Sequence, residues 1–221
     1  MRVESVIGAL PSRVFKAYRK EKHAQAFAEK GIIRLGQLQS YQRIEDPARR
    51  DGSEGEGSLR VPDQITSIHF NTETFEPVRT SVAPGYLDYQ TTFMNSVHLF
   101  CLSGEQVDLD YLRSAMGPHV VEVFDTPRFL KSFSNTLAAE PIAHRIVMFA
   151  EVFEVAYNKT EIREAGNHLK YLHNSVAQKP RGFASECEWR IAVVTDGIAT
   201  DIPDAVFLSL VDSASFARLL F

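Results

Sequence analysis

The sequence predicts an α+β protein with mixed, mainly antiparallel sheets and short peripheral helices. Three observations lead there. Strand-like runs come in clusters with scattered short helices, and strict strand–helix alternation is missing. The 221 residues are 44% hydrophobic and 24% charged, which suits a single domain over 1–221 with a sizeable core. A long polar loop at 42–60 is the one biased segment. Its stretch 45–58 (EDPARRDGSEGEGS) holds three Gly, one Pro and no Leu, Ile, Val or Phe.

Val14 to Tyr18 (VFKAY) alternates and is β-prone, so it reads as the first strand. KEKHAQAFAEKG then places Ala24, Phe27 and Ala28 on one helical stripe, with Gly31 where the helix stops. IIRLGQL (32–38) resumes a strand. Beyond the polar loop, QITSIHF, YLDYQTTF and SVHLFCLS read as two or three strands across 64–102. Asp108 caps a short helix to Met116, with Gly117 past its end. HVVEVF is a strand, and TPRFLKSFSNTLAAE opens a helix with Thr126 as cap and Pro127 in the first turn. RIVMFAEVFEVAY (145–157) is a long β-branched and aromatic strand, 159–173 a helix, and ECEWRIAVV and AVFLSL strands. A helical turn or two follows Asp212 and carries the chain to ARLLF.

Lys and Arg number 24 against 28 Asp and Glu, a net charge of −4, so no global field draws the chain onto nucleic acid or anionic lipid. The two cysteines, Cys101 and Cys187, stand alone and suit a reducing, cytoplasmic compartment. No apolar run approaches membrane-spanning length, and Val6 to Leu10 is too short for an export signal core.

Phosphate-loop, dinucleotide-fold and hydrolase-elbow motifs are lacking. The seven histidines form no H-E-x-x-H, so no metal site is read. Three short constellations remain. On a strand through FASECEWRIAVV, Glu186, Glu188 and Arg190 share one face about 7 Å apart, with Cys187, Trp189 and Ile191 on the other. Like charges on one face repel unless a cation stands between them, and Lys179 and Arg181 are the cations upstream. Tyr18 and Arg19 end the first strand, and Ser103 ends the strand HLFCLS. Taken singly, each also has a plain structural reading: a charge-paired strand face, a surface Arg after a core aromatic, a strand ending in a turn.

In this order the three resemble the Arg–Ser–Glu signature of bacterial mono-ADP-ribosyltransferase toxins, and HAQAFAEKGIIRL resembles the helix–Gly–strand piece after their first strand. The layout Tyr18-x-x-x-x-His23-Ala24, Leu38-x-Ser40-Tyr41, FCLS and Lys179-x6-Glu186-x-Glu188-x-Arg190 is also similar to a bacterial domain family found near toxin and phage-defence genes. The resemblance spans roughly residues 14–194 and implies an ADP-ribosyltransferase-like fold with NAD as substrate. It assigns Arg19 to the dinucleotide, Ser103 to ordering the site, Glu188 to catalysis and Glu186 to the acceptor. Tyr18 and Tyr41 suit stacking on nicotinamide, and Arg19 or Arg34 pairing with the pyrophosphate. The expected function is transfer of ADP-ribose to a macromolecular acceptor by an intracellular toxin or phage-defence effector, with an antitoxin protein as a candidate partner and no membrane role. The alternatives are a non-catalytic interaction module built on a Glu/Arg network, and a Mg²⁺-dependent nuclease.

Overall fold

The computed structural model describes residues 6–38, 40, 56–61, 65–70, 77–82, 85–90, 97–139, 147–157, 176–195 and 205–221. The elements run β1 (Val14–Tyr18), α1 (Glu21–Lys30), β2 (Ile32–Gln37), β3 (Glu56–Val61), β4 (Ile65–Phe70), β5 (Pro77–Val82), β6 (Gly85–Gln90) and β7 (Val97–Gly104). They continue as α2 (Leu109–Ala115), β8 (His119–Val123), α3 (Thr126–Ala139), β9 (Val147–Glu154), a 3-10 turn (Arg181–Glu186), β10 (Glu188–Thr195), β11 (Ala205–Ser209), a 3-10 turn (Ser213–Ser215) and β12 (Ala217–Leu220). This is a mixed α+β fold with an open, mostly antiparallel sheet and few short helices.

Strand β7, almost wholly buried, is the axis of an eight-stranded sheet ordered β11-β2-β7-β1-β8-β12, with β10 on β7 and β9 on β10. Along one edge β7 pairs with β10, from Glu188 opposite Ser103 to Val194 opposite Val97. Its other edge is shared. β1 takes the C-terminal end, with Phe15 opposite Ser103, and β2 takes the N-terminal half, with Gly36 opposite Leu99. The sheet therefore forks at residues 100–102. Lys16 Nζ donates to the Cys101 carbonyl at 2.6 Å in that fork and lies 5.3 Å from the Phe100 ring centre. Two further hairpin-like pairs, β3–β6 and β4–β5, make separate two-stranded sheets.

Helix α1 joins the two arms of the fork. Ala24, Phe27 and Ala28 form its buried stripe, and Phe27 packs edge-on against Phe100 and Phe129. The aromatic cluster extends through Phe133 and Phe216, each side chain contributing about 1.5–3 kcal/mol by burial. The opposite face of the sheet buries two smaller clusters: Leu38, Val97, Leu99, Phe153, Val176 and Ala192 near β9, and Phe15, Val107, Leu112 and Val120 under α2. His98 is buried with neither ring nitrogen bonded among the described residues, and burial lowers its pKa to about 4, so it stays neutral.

Most expected elements form with close bounds, and Asp108 caps α2 by accepting from the Asp110 and Tyr111 amides. Four readings change. Residues 56–60, the end of the expected 42–60 loop, lie in β3 instead, paired in register with β6. Residues 77–82 supply a strand the sequence reading did not mark, β5. Asp125, one residue before Thr126, caps α3 through the Arg128 amide, while Thr126 Oγ1 donates to the Pro11 carbonyl. Past Asp212 the chain makes only a 3-10 turn, then the strand β12 rather than a helix, because Ala217 to Leu220 pair with β8 and Arg218 meets Glu122. The expected helix at 159–173, and loop residues 42–55, lie outside the described residues. Among those described, no helix is long and apolar enough to cross a membrane.

Gly31 ends α1 at φ 67°, with its amide donating to the Phe27 carbonyl at 3.0 Å. A Cβ there would collide with the Leu210 carbonyl, and the left-handed backbone adds strain. Gly31→Ala is therefore expected to cost about 2 kcal/mol or more, lowering Tm by roughly 4–8 °C in a thermal melt. An unchanged Tm would contradict the close approach of α1's end to the segment after β11.

Candidate active site on the β7–β10 pair

Pleating places Ser103 and Cys101 of β7 on one face with their partners Glu188 and Arg190 of β10. Arg190 is 1% exposed, so this face is interior and not the half-exposed charged face expected. Its guanidinium Nε donates to Glu188 Oε1 at 2.9 Å, Nη2 reaches Oε2 at 3.4 Å, and Nη1 donates to the Val176 carbonyl at 2.6 Å. The fork-like hold on a carboxylate is what guanidinium geometry favours.

Glu186 does not continue that strand. It ends the 3-10 turn Arg181–Glu186, and Cys187 follows in the left-handed region at φ 44°. The expected row of Glu186, Glu188 and Arg190 on one extended face is thus corrected. The kink replaces a spaced row of like charges with two carboxylates converging on one ammonium. Lys179 Nζ lies 2.7 Å from Glu186 Oε2 and 2.8 Å from Glu188 Oε2, all three side chains being buried. Lys179 therefore fills the cation role the sequence left to Lys179 or Arg181; Arg181 itself is exposed at the start of the turn. Phe183 backs the ammonium, its ring centre 4.9 Å away.

The two carboxylates titrate apart. Burial alone would raise Glu188, but the Arg190 guanidinium and Lys179 ammonium override it and hold the group well below the usual carboxylate range. Glu186 is raised to about 7, first by burial, with Lys179 opposing and the Glu188 charge adding to the rise. Cys101, hemmed in by burial and by the charge of Glu188, is pushed up to about 12 and stays a neutral thiol. Both cysteines are free.

The remaining expected residues are dispersed. Ser103 is buried between Phe15 on one side and Glu188 on the other. Tyr18 lies three residues beyond Phe15, roughly 10 Å farther along β1. Its ring packs edge-on to Phe27 and its hydroxyl is buried with no hydrogen-bond partner among the described residues, burial raising its pKa. Arg19 follows it, exposed. Arg34 is exposed on β2, on the pleat that carries Gly36. Tyr41 lies outside the described residues. The fold brings Ser103, Glu186 and Glu188 together and leaves Tyr18, Arg19 and Arg34 apart from them.

Two contributors carried no sequence signal. Tyr157 Oη accepts the Glu188 amide at 2.7 Å, and the Val176 carbonyl orients Arg190. Tyr157 is the last residue of an expected strand that ends early, and a backbone carbonyl has no residue signature. Among the described residues no group of three metal-ligating side chains comes together. Compared with known proteins, the chain matches no family model, no curated relative and no solved structure.

The raised Glu186 fixes a sign. A carboxyl whose folded pKa lies above its ordinary 4.5 adds stability below that pH and loses it as pH rises toward about 7. Glu186→Gln removes the dependence. The difference in Tm, variant minus wild type, should climb between pH 4.5 and 7. A flat difference would mean that Glu186 titrates alike in folded and unfolded chains.

Proposed function

We propose that this chain breaks the nicotinamide–ribose bond of NAD and passes ADP-ribose to a macromolecular acceptor. The observation that carries the reading is the geometry of the pair: Glu188 opposite Ser103 and bound by Arg190, with Glu186 across the same Lys179 ammonium. The cations hold Glu188 below the usual carboxylate range, and burial raises Glu186 to about 7. Two carboxylates pushed apart in pKa are the usual equipment for chemistry through an oxocarbenium-like state. When the C1′–N bond breaks, its electron pair leaves with nicotinamide and cancels the pyridinium charge. Glu188 stabilises the positive ribose that remains, and its fixed position spares reorganisation. The acceptor's nucleophile then bonds to C1′, and its proton passes to Glu186, whose pKa suits a base at neutral pH. Ser103 fits the ribose end of such a substrate. Tyr18 packs on Phe27 in the main core, and the assignment of Arg19 to the phosphates rests on the family resemblance alone. The acceptor class, a toxin or phage-defence role and a cytoplasmic setting belong to the same proposal.

The interaction-module reading has an observation of its own: both donors on Glu188, Arg190 and Lys179, are already committed to it. A nuclease reading is weaker, because Lys179 occupies the place between the carboxylates that a divalent ion would need. Incubation with labelled NAD and lysate separates the first two. Transfer by the wild type is expected, falling about 10²–10³-fold in Glu188→Gln and strongly in Ser103→Ala, with circular dichroism confirming that both variants fold. No NAD consumption by folded wild type would sink the transferase and favour the module.

A further inference from the structure

A second charge cluster lies on the same face of the sheet. Register carries one row across five strands: Glu188 of β10, Ser103 of β7, Phe15 of β1, Glu122 of β8 and Arg218 of β12. Glu122 is therefore three strands from Glu188, roughly 14 Å at strand spacing. Its side chain is 1% exposed, yet two largely exposed arginines hold it. Arg13 Nε donates to Oε1 at 2.6 Å and Arg218 Nε to Oε2 at 2.7 Å. Each guanidinium also lies over an aromatic ring, Arg13 on Phe15 at 5.7 Å and Arg218 on Phe124 at 5.4 Å.

One guanidinium suffices to neutralise a buried carboxylate. The second leaves the trio net positive, on a chain whose overall charge is −4. Both are fixed by a charge-assisted hydrogen bond and a ring, so they lose little freedom when an anion arrives. Among the described residues, their remaining N–H donors meet no other carboxylate, and Arg13 and Arg218 are 54% and 63% exposed. Two rigid forks with donors to spare match the oxygens of a phosphate. Phe124, 38% exposed beneath Arg218, offers an apolar surface beside them.

We propose that the Arg13–Glu122–Arg218 cluster is a phosphate-binding site, for the phosphate of a nucleotide or of a nucleic-acid strand. Glu122 acts as a positioning residue that holds both arginines. The site stands apart from the Glu188 cluster, so each can fail without the other.

Fluorescence anisotropy with a labelled short single-stranded oligonucleotide, and calorimetry with pyrophosphate, test the two sources. Arg13→Gln and Arg218→Gln are each expected to weaken binding about tenfold and to flatten the salt slope by about 1. Because single variants leave Glu122 less well paired, the triple Arg13→Gln/Glu122→Gln/Arg218→Gln variant removes all three charges together. Lys30→Gln, at the exposed end of α1, should bind as wild type. Arginine-dependent binding of the oligonucleotide supports a strand phosphate, and arginine-dependent binding of pyrophosphate alone supports a small phosphate ligand. Equal binding by wild type and the triple variant, or no binding of either probe, overturns the proposal.

Discussion

Lys179 is the constraint on which the rest of the candidate site depends. A single buried ammonium faces Glu186 and Glu188, and without it two carboxylates would share a dry face with one guanidinium already bound to one of them. Breaking a buried pair by removing one partner commonly costs about 3–5 kcal/mol, because the other charge is left unpaired. The left-handed Cys187 follows from this demand. An extended chain would set the two carboxylates a full pleat apart, and the kink brings both to one cation. The backbone is held from outside as well: Gly104 donates to the Cys187 carbonyl at 2.7 Å, and Lys179 donates its own amide to Ala156.

The forked sheet sets where this cluster stands. β7 accepts β10 along one edge, from Val97 to Ser103, while its other edge is divided between β1 and β2. Lys16 lies in the division and donates to the Cys101 carbonyl. Ser103 is consequently flanked by an apolar Phe15 and an ionised Glu188, one face being built from residues far apart in sequence. The Glu122 cluster occupies the same row on the far side of Phe15, so the face alternates charged and apolar ground.

Much of this was legible from local pattern. The alternation of VFKAY, the Ala24–Phe27–Ala28 stripe and the Asp108 cap are short-range signals that tertiary packing reinforced. ARLLF was misread because a short apolar run at the end of a chain has no period to settle helix against strand; pairing with β8 decided it. Glu186, Glu188 and Lys179 were visible as a motif, but strand periodicity put Glu186 on the wrong element, since nothing in the residues announces a left-handed cysteine. Burial was misjudged for the same cluster. A charged strand reads as exposed unless its partners are known to converge on it, and two of them, Lys179 and the Val176 carbonyl, come from outside the strand. Arg13, Glu122 and Arg218 lie 96 or more residues apart across Glu122, so their meeting is a property of register alone.

The site's chemistry turns on one carboxylate that stays ionised while its neighbour takes and gives up a proton near neutrality. Carboxyl-carbon NMR on glutamate-labelled protein, assigned with Glu186→Gln and Glu188→Gln, reads this directly. The Glu188 signal should stay unchanged from pH 8 down to the edge of acid unfolding, and the Glu186 signal should move with a midpoint near 7. Two signals titrating together in the ordinary carboxylate range would contradict it, because the cluster would then be open to water and Lys179 would not divide the pair.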